Sequence, residues 1–357
     1  MSPPSSSLFS SLGWEGFYTP TAKATPFSSG YKTPPTKRRV AGFSLLLLSL
    51  GMLRAADAPP VLRIAGNAEL AGVVTRWTEG FTATHPNVRI ETHLTGSDTG
   101  MAALYTGKAD VALLGRAPTP VEIQAFEWIF RYKPAQVEIM TGSLDQPGQS
   151  PAPVLFVHRD NPLAGLTLAQ LDAAFGTEHR LAPADIRTWG QLGLTGEWAN
   201  QPIHLYGPDA MSGTGRFFRQ VVLNDSRMMN WTQLTEFSDT DIPRTATHDA
   251  GRQILAALAA DRYGLAVAGL GFEQGGIRAV PLEGIPATRD SVVARRYPLT
   301  RAAMACFNRP SAAPPPPLVA AFLRYVLSPA GQQEIAAAGV YLPLTANLAA
   351  TSAAKLD

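Results

Sequence analysis

Met211-Ser212-Gly213-Thr214-Gly215 combines two hydroxyls with two glycines. An apolar run at 203–206 reads as a strand before it, and 216–223 reads as a helix after it. Uncovered backbone N–H groups and hydroxyls at the start of a helix suit a bound anion. Without a ligand the same pattern is an ordinary N-cap and turn, because Ser and Thr cap helices routinely. Two other strand-to-helix turns are rich in glycine and small or polar residues: Gly66-Asn67-Ala68-Glu69, which has no hydroxyl, and Thr95-Gly96-Ser97-Asp98-Thr99-Gly100. They follow strand patterns at 61–65 and 88–94. Ligands of open α/β sheets sit beyond the carboxyl ends of strands, so three similar turns point to one crevice more sharply than one.

These residues do not read as a catalytic set. Ser212 is not in a G-x-S-x-G elbow, since Ala210 holds the first glycine position. His85, His93, His158, His179, His204 and His248 are scattered, with no H-x-x-x-H or H-E-x-x-H spacing. No enzyme activity, metal or cofactor is expected. Cys306 is the single cysteine, so no internal disulfide forms. Its apolar surroundings at 302–307 make it a buried small side chain rather than a nucleophile.

The elements that must position the turns alternate. Helical spacing of Leu70, Val73, Val74, Trp77 and Phe81 predicts a helix over 70–81. His85-Pro86 ends it. A helix from 101, a buried strand at 111–114 and a helix at 121–130 follow. That is βαβαβ, the pattern of a covered, mostly parallel sheet. The Pro- and Gly-rich stretch 142–153 reads as a loop near a domain boundary. Beyond it lie a strand at 154–157, a helix at 167–175, a helix at 249–260 and a strand at 265–270. Extended chain at 297–307 and helices at 318–327 and 328–338 complete the pattern.

Residues 1–58 stand apart. They are rich in Ser, Pro, Thr and Gly up to 35, and would not pack a core. Lys37-Arg38-Arg39, the apolar run 40–53 and Ala55-Ala56-Asp57-Ala58 describe a secretory signal. A membrane anchor is the alternative, although a span needs roughly 20 apolar residues. This leader carries six basic and two acidic residues of the 30 and 28 in the chain. Without it, 24 basic stand against 26 acidic, a net −2. Nucleic-acid binding is therefore not expected, since it would need a clustered basic face.

Several segments, in order, resemble the periplasmic phosphate-binding proteins of ABC transporters, the PstS-like branch of the type II solute-binding fold. They are 77–86 (WTEGFTATHP), 96–115 (GSDTGMAALYTGKADVALLG), 156–171 (FVHRDNPLAGLTLAQL), 188–198 (TWGQLGLTGEW), 206–218, 296–301 (RYPLTR) and 327–344 (LSPAGQQEIAAAGVYLPL). The resemblance implies an α/β fold of two lobes, each a mixed sheet flanked by helices, joined by two hinge strands. Lobe 1 would comprise 59–153 and 295–357, and lobe 2 would comprise 154–294. The ligand would sit between lobes that close by hinge motion.

Carried over residue by residue, the resemblance makes Ser212, Gly213 and Thr214 the anion turn of lobe 2, and Gly96 and Ser97 a second turn from lobe 1. Neutral donors match the lone pairs of a dehydrated oxyanion. Three positions depart from the family. Pro208 stands where relatives carry an arginine that forks onto the anion. Asn67 and Glu69 stand in a turn that presents a Ser or Thr hydroxyl in the family; Glu69 would accept the proton of a monohydrogen anion. Arg116 follows the third strand and is the expected compensating positive group. The resulting expectation is an exported monomer that delivers inorganic phosphate, or a related oxyanion, to a membrane ABC permease. The alternative is a divergent binding protein with a sensing or scaffold role, or with another small polar ligand.

Overall fold

A computed structural model describes residues 59–143, 152–181, 183–238, 250–272 and 275–357. The apolar run 40–53 and most of the expected boundary loop at 142–153 lie outside them. No helix among the described residues is long and apolar enough to cross a membrane.

The chain first lays down β1 (Val61–Gly66), α1 (Ala71–Thr84), β2 (Arg89–Leu94), α2 (Ser97–Tyr105), β3 (Val111–Leu114), α3 (Pro120–Phe130) and β4 (Ala135–Thr141). It crosses to β5 (Pro153–His158), α4 (Leu168–Phe175), β6 (His204–Pro208), α5 (Gly213–Val222), β7 (Leu234–Phe237), α6 (Ala250–Ala259), β8 (Gly264–Gly269), β9 (Ile277–Val280) and α7 (Arg289–Val293). It then returns through β10 (Ala302–Phe307), α8 (Pro317–Leu327), α9 (Pro329–Ala338) and α10 (Ala346–Ala354).

Two five-stranded sheets result, ordered β2-β1-β3-β10-β4 and β7-β6-β8-β5-β9. In each, three parallel strands are followed by one antiparallel strand: β10 in the first, β5 in the second. Both antiparallel strands are the first that the chain forms after crossing from the other sheet. The expected architecture of two mixed sheets flanked by helices is what forms. The crossings touch, because Gly142 N donates to Arg301 O at 2.9 Å.

Alternation within central strands feeds opposite faces. Val111 and Leu113 join the core beneath α1 and α8, while Ala112 and Leu114 pack with Met101, Phe126 and Cys306. Leu155 and Val157 face one core of the second sheet, Val154 and Phe156 the other. Such two-sided burial explains why these strands read as continuous apolar runs. On α1 the buried residues are Val73, Val74, Trp77 and Phe81. Each large side chain buried there contributes about 1.5–3 kcal/mol. Trp77 also donates through Nε1 to Gly331 O at 2.9 Å, which ties α1 to α9.

Candidate functional site

The Ser212 turn is built by the end of β6. Asp209 N donates to Phe237 O at 2.8 Å, and Asp209 Oδ1 accepts from Met211 N at 2.7 Å. Glu236 Oε1 takes Ala210 N at 2.9 Å. The chain then doubles back so closely that a side chain at Gly215 would overlap Asp209 O and come within 2.9 Å of Ala210 Cα. Glycine is required there by close approach. Gly213 is different: a side chain there would only make an ordinary 3.8 Å contact with Arg301 Nη2.

Helix α5 starts at Gly213, earlier than the apolar pattern suggests, with Ser212 as its N-cap. Ser212 Oγ accepts from Gly215 N at 3.0 Å. A hydroxyl has one donor and two acceptor sites, so this cap leaves its O–H able to donate outward. The amides of Gly213 and Thr214 lie in the open first turn, where helix N–H groups have no intrahelical acceptor. Capping and anion binding are therefore compatible here.

On the first sheet, α2 likewise starts at Ser97, not at 101. Gly96 N donates to Gly66 O at 2.9 Å, which joins the first two turns. Ser97 Oγ accepts from Gly115 N at 3.3 Å, bringing in the end of β3. Asn67 Oδ1 caps Glu69 N at 3.1 Å, and Asn67 Nδ2 donates to Glu69 Oε2 at 3.3 Å. Tyr341 OH holds the Glu69 carbonyl at 3.2 Å.

Arg116 is buried and densely paired. Its Nη1 donates to Ala117 O at 3.0 Å and Glu122 Oε2 at 2.8 Å; its Nη2 donates to Glu122 Oε1 at 2.9 Å and to Asp98. Burial opposes its charge, but Glu122 and Asp98 outweigh burial and hold its pKa above the ordinary arginine value. Direct contact with an anion would require one of these carboxylates to move. The same Asp98 accepts from Arg216 of α5, at 2.7 and 2.9 Å.

Arg301, just before β10, is the residue that sequence reasoning passed over. Its Nη2 donates to Gly115 O at 3.1 Å, and its Nη1 to Thr214 Oγ at 3.2 Å. It thus completes a line from Ser97 through Gly115 to Thr214, spanning both sheets. The signal for it was present only as the last letter of RYPLTR. Burial pushes its pKa down to about 10, so it is charged at neutral pH.

The structure brings Gly96, Ser97, Ser212, Gly213 and Thr214 into this one junction through Arg301, and pairs Asn67 with Glu69 in the adjoining turn. Pro208 lies at the end of β6 opposite Phe237, and offers no donor. Such an arrangement can hold an anion with amides, hydroxyls and a guanidinium. For Ser212 to act as a nucleophile it would need a base, but its Oγ is held by the Gly215 amide rather than by any described histidine. Cys306 is fully buried, and burial pushes its thiol pKa far up, away from reactive thiolate.

The PBP superfamily domain matches residues 54–330. The chain is 32% identical over 297 residues to the phosphate-binding protein PstS of Pseudomonas aeruginosa, covering 81% of this chain and 84% of that protein. In fold it is similar to PstS from Borrelia burgdorferi, with a TM-score of 0.56 at 14% identity over 80% of this chain and 99% of that one. An ABC-type phosphate transport receptor from Vibrio cholerae gives 0.54 at 18% identity, over 79% and 99% of the two chains. The paired sheets, the turn chemistry and this similarity agree: the chain belongs to the PBP superfamily as a PstS-like member, in a family of solute-binding proteins rather than enzymes.

Proposed function

We propose that this protein is exported by its N-terminal signal, captures inorganic phosphate between two lobes, and hands it to an ABC permease. The lobes are 59–153 with 295–357, and 154–294, behind a leader at 1–58. The observation that carries this reading is the convergence of two helix starts, α2 at Ser97 and α5 at Gly213, through the Ser97–Gly115–Arg301–Thr214 line. Each helix start favours negative charge. In this reading Ser212, Gly213, Thr214, Gly96 and Ser97 donate to the anion, and Asn67 orients Glu69 to accept the proton of a monohydrogen phosphate. Arg116 acts behind them, fixing Asp98.

Calorimetry with phosphate, sulfate and molybdate tests the proposal. Heat with phosphate, and less with sulfate, is expected, because sulfate brings no proton for Glu69. Heat with none of the three rejects the oxyanion. Pro208 gives a second reading its basis: a PBP-fold protein for a different small polar ligand, which that null result would favour.

A further inference from the structure

Arg301 is 4% exposed; among the described residues no carboxylate hydrogen-bonds it, although the Glu69 carboxylate lies near enough to favour its charge. Its two Nη atoms bond only neutral oxygens, one from each sheet's side of the junction. Its Nε is buried with no partner at all. Phe217 lies under the guanidinium, 5.6 Å from ring centroid to Cζ. Gly213 lies beside Nη2: a Cβ there would make an ordinary 3.8 Å contact with that nitrogen. A buried charge of this kind is costly unless it is paired. Burial of Arg301 outweighs the favourable Glu69 charge, whereas Arg116 is in direct contact with two carboxylates and Asp98 with two arginines.

We propose that Arg301 is the principal charge partner of the bound anion, an assignment that rests on the oxyanion reading above. The guanidinium approaches the start of α5 from the opposite side of the junction, where a ligand on the Gly213 and Thr214 amides would meet it. It supplies the charge-assisted donor that Pro208 cannot, and from a different segment of the chain.

Phosphate titrations of the purified protein and of Arg301→Gln and Arg301→Lys test the assignment, with thermal melts as the fold control. Loss of a charge-assisted fork predicts that Arg301→Gln binds about 100-fold more weakly, and that Arg301→Lys, which keeps the charge but not the fork, falls about tenfold. A loss of less than tenfold in folded Arg301→Gln overturns the assignment. Should that variant fail to fold, Arg301→Lys decides: full affinity overturns the assignment, and a clear loss with an intact melt supports it. The two readings separate in the unaltered protein. If it binds no oxyanion, both fail; if it binds and the variants bind equally, only the Arg301 assignment fails.

Discussion

Asp98 and Arg216 clasp each other across the junction of the two sheets, with both carboxylate oxygens accepting from Arg216 Nη1 at 2.7 and 2.9 Å. Arg116 grips the same carboxylate from the first sheet's side. The contact ties the turn carrying Ser97 to the helix that Ser212 caps. Asp98→Asn is expected to loosen this closure. The Asp98 side chain is 58% exposed, so the contribution is discounted to that of an exposed pair, about 0.5–1 kcal/mol, or roughly two- to fivefold in the closed population. Small-angle scattering would show a larger radius of gyration, and added salt would shrink the difference between variant and parent. Identical scattering at low salt would refute the clasp.

Its pH dependence follows from the same geometry. Burial works against ionisation of Asp98, but Arg216 and then Arg116 outweigh it and hold the pKa below the ordinary 3.8. A carboxylate with a depressed folded pKa stabilises fully above its unfolded value, and loses that stabilisation as pH falls through the folded one. Closure owed to Asp98 should therefore be constant from neutrality down to about pH 5, and lost only below the usual aspartate range. Tryptophan fluorescence against pH, compared with Asp98→Asn, measures this. A parent-specific change between about pH 7 and 5 would contradict it.

Ser212 has two separable roles. As the α5 cap it accepts from Gly215 N; as a proposed ligand it donates. Ser212→Ala removes both, with an expected cost of about 1 kcal/mol in stability as well as lost affinity. Ser212→Asp retains an acceptor for the cap but sets a negative charge where the anion would lie. It should melt near the parent and bind no phosphate. Retained binding in Ser212→Asp would remove this turn from the site.

What the sequence disclosed, and what it hid, have physical reasons. The Ser212 and Ser97 turns were legible because Gly, Ser and Thr between apolar runs change backbone preference abruptly. The starts of α2 and α5 were placed too late, because Gly, Ser and Thr in a first turn carry no hydrophobic period. Strands β4, β7 and β9 gave little signal. Each lies at a sheet edge and is interrupted by polar or charged residues (Gln136 and Glu138, Thr235 and Glu236, Arg278), which break up an apolar run. Arg301 was invisible as a site residue because its burial comes from long-range assembly. The Gly142–Arg301 backbone bond holds the two crossings together, and nothing local in RYPLTR reveals it.

The positioning of the first-sheet turns rests on Gly100. A side chain there would stand 2.8 Å from Gly66 Cα and 3.2 Å from Gly66 N, both backbone atoms that cannot swing aside. Gly100→Ala should push α2 outward from β1, and carry Ser97 and Asp98 with it. Alanine's better helix propensity offsets about 1 kcal/mol. The overpacking costs about 1–3 kcal/mol, so a net loss of stability is expected. Gly72 is the control: it lies in α1, and a Cβ added there would meet nothing within 4 Å. Gly72→Ala should stabilise by about 0.5–1 kcal/mol and leave phosphate affinity alone. Urea unfolding of both variants, paired with phosphate titration, checks the contrast. If Gly100→Ala gained stability like Gly72→Ala and bound phosphate as the parent does, the close contact of α2 with β1 would not be what sets the Ser97 turn.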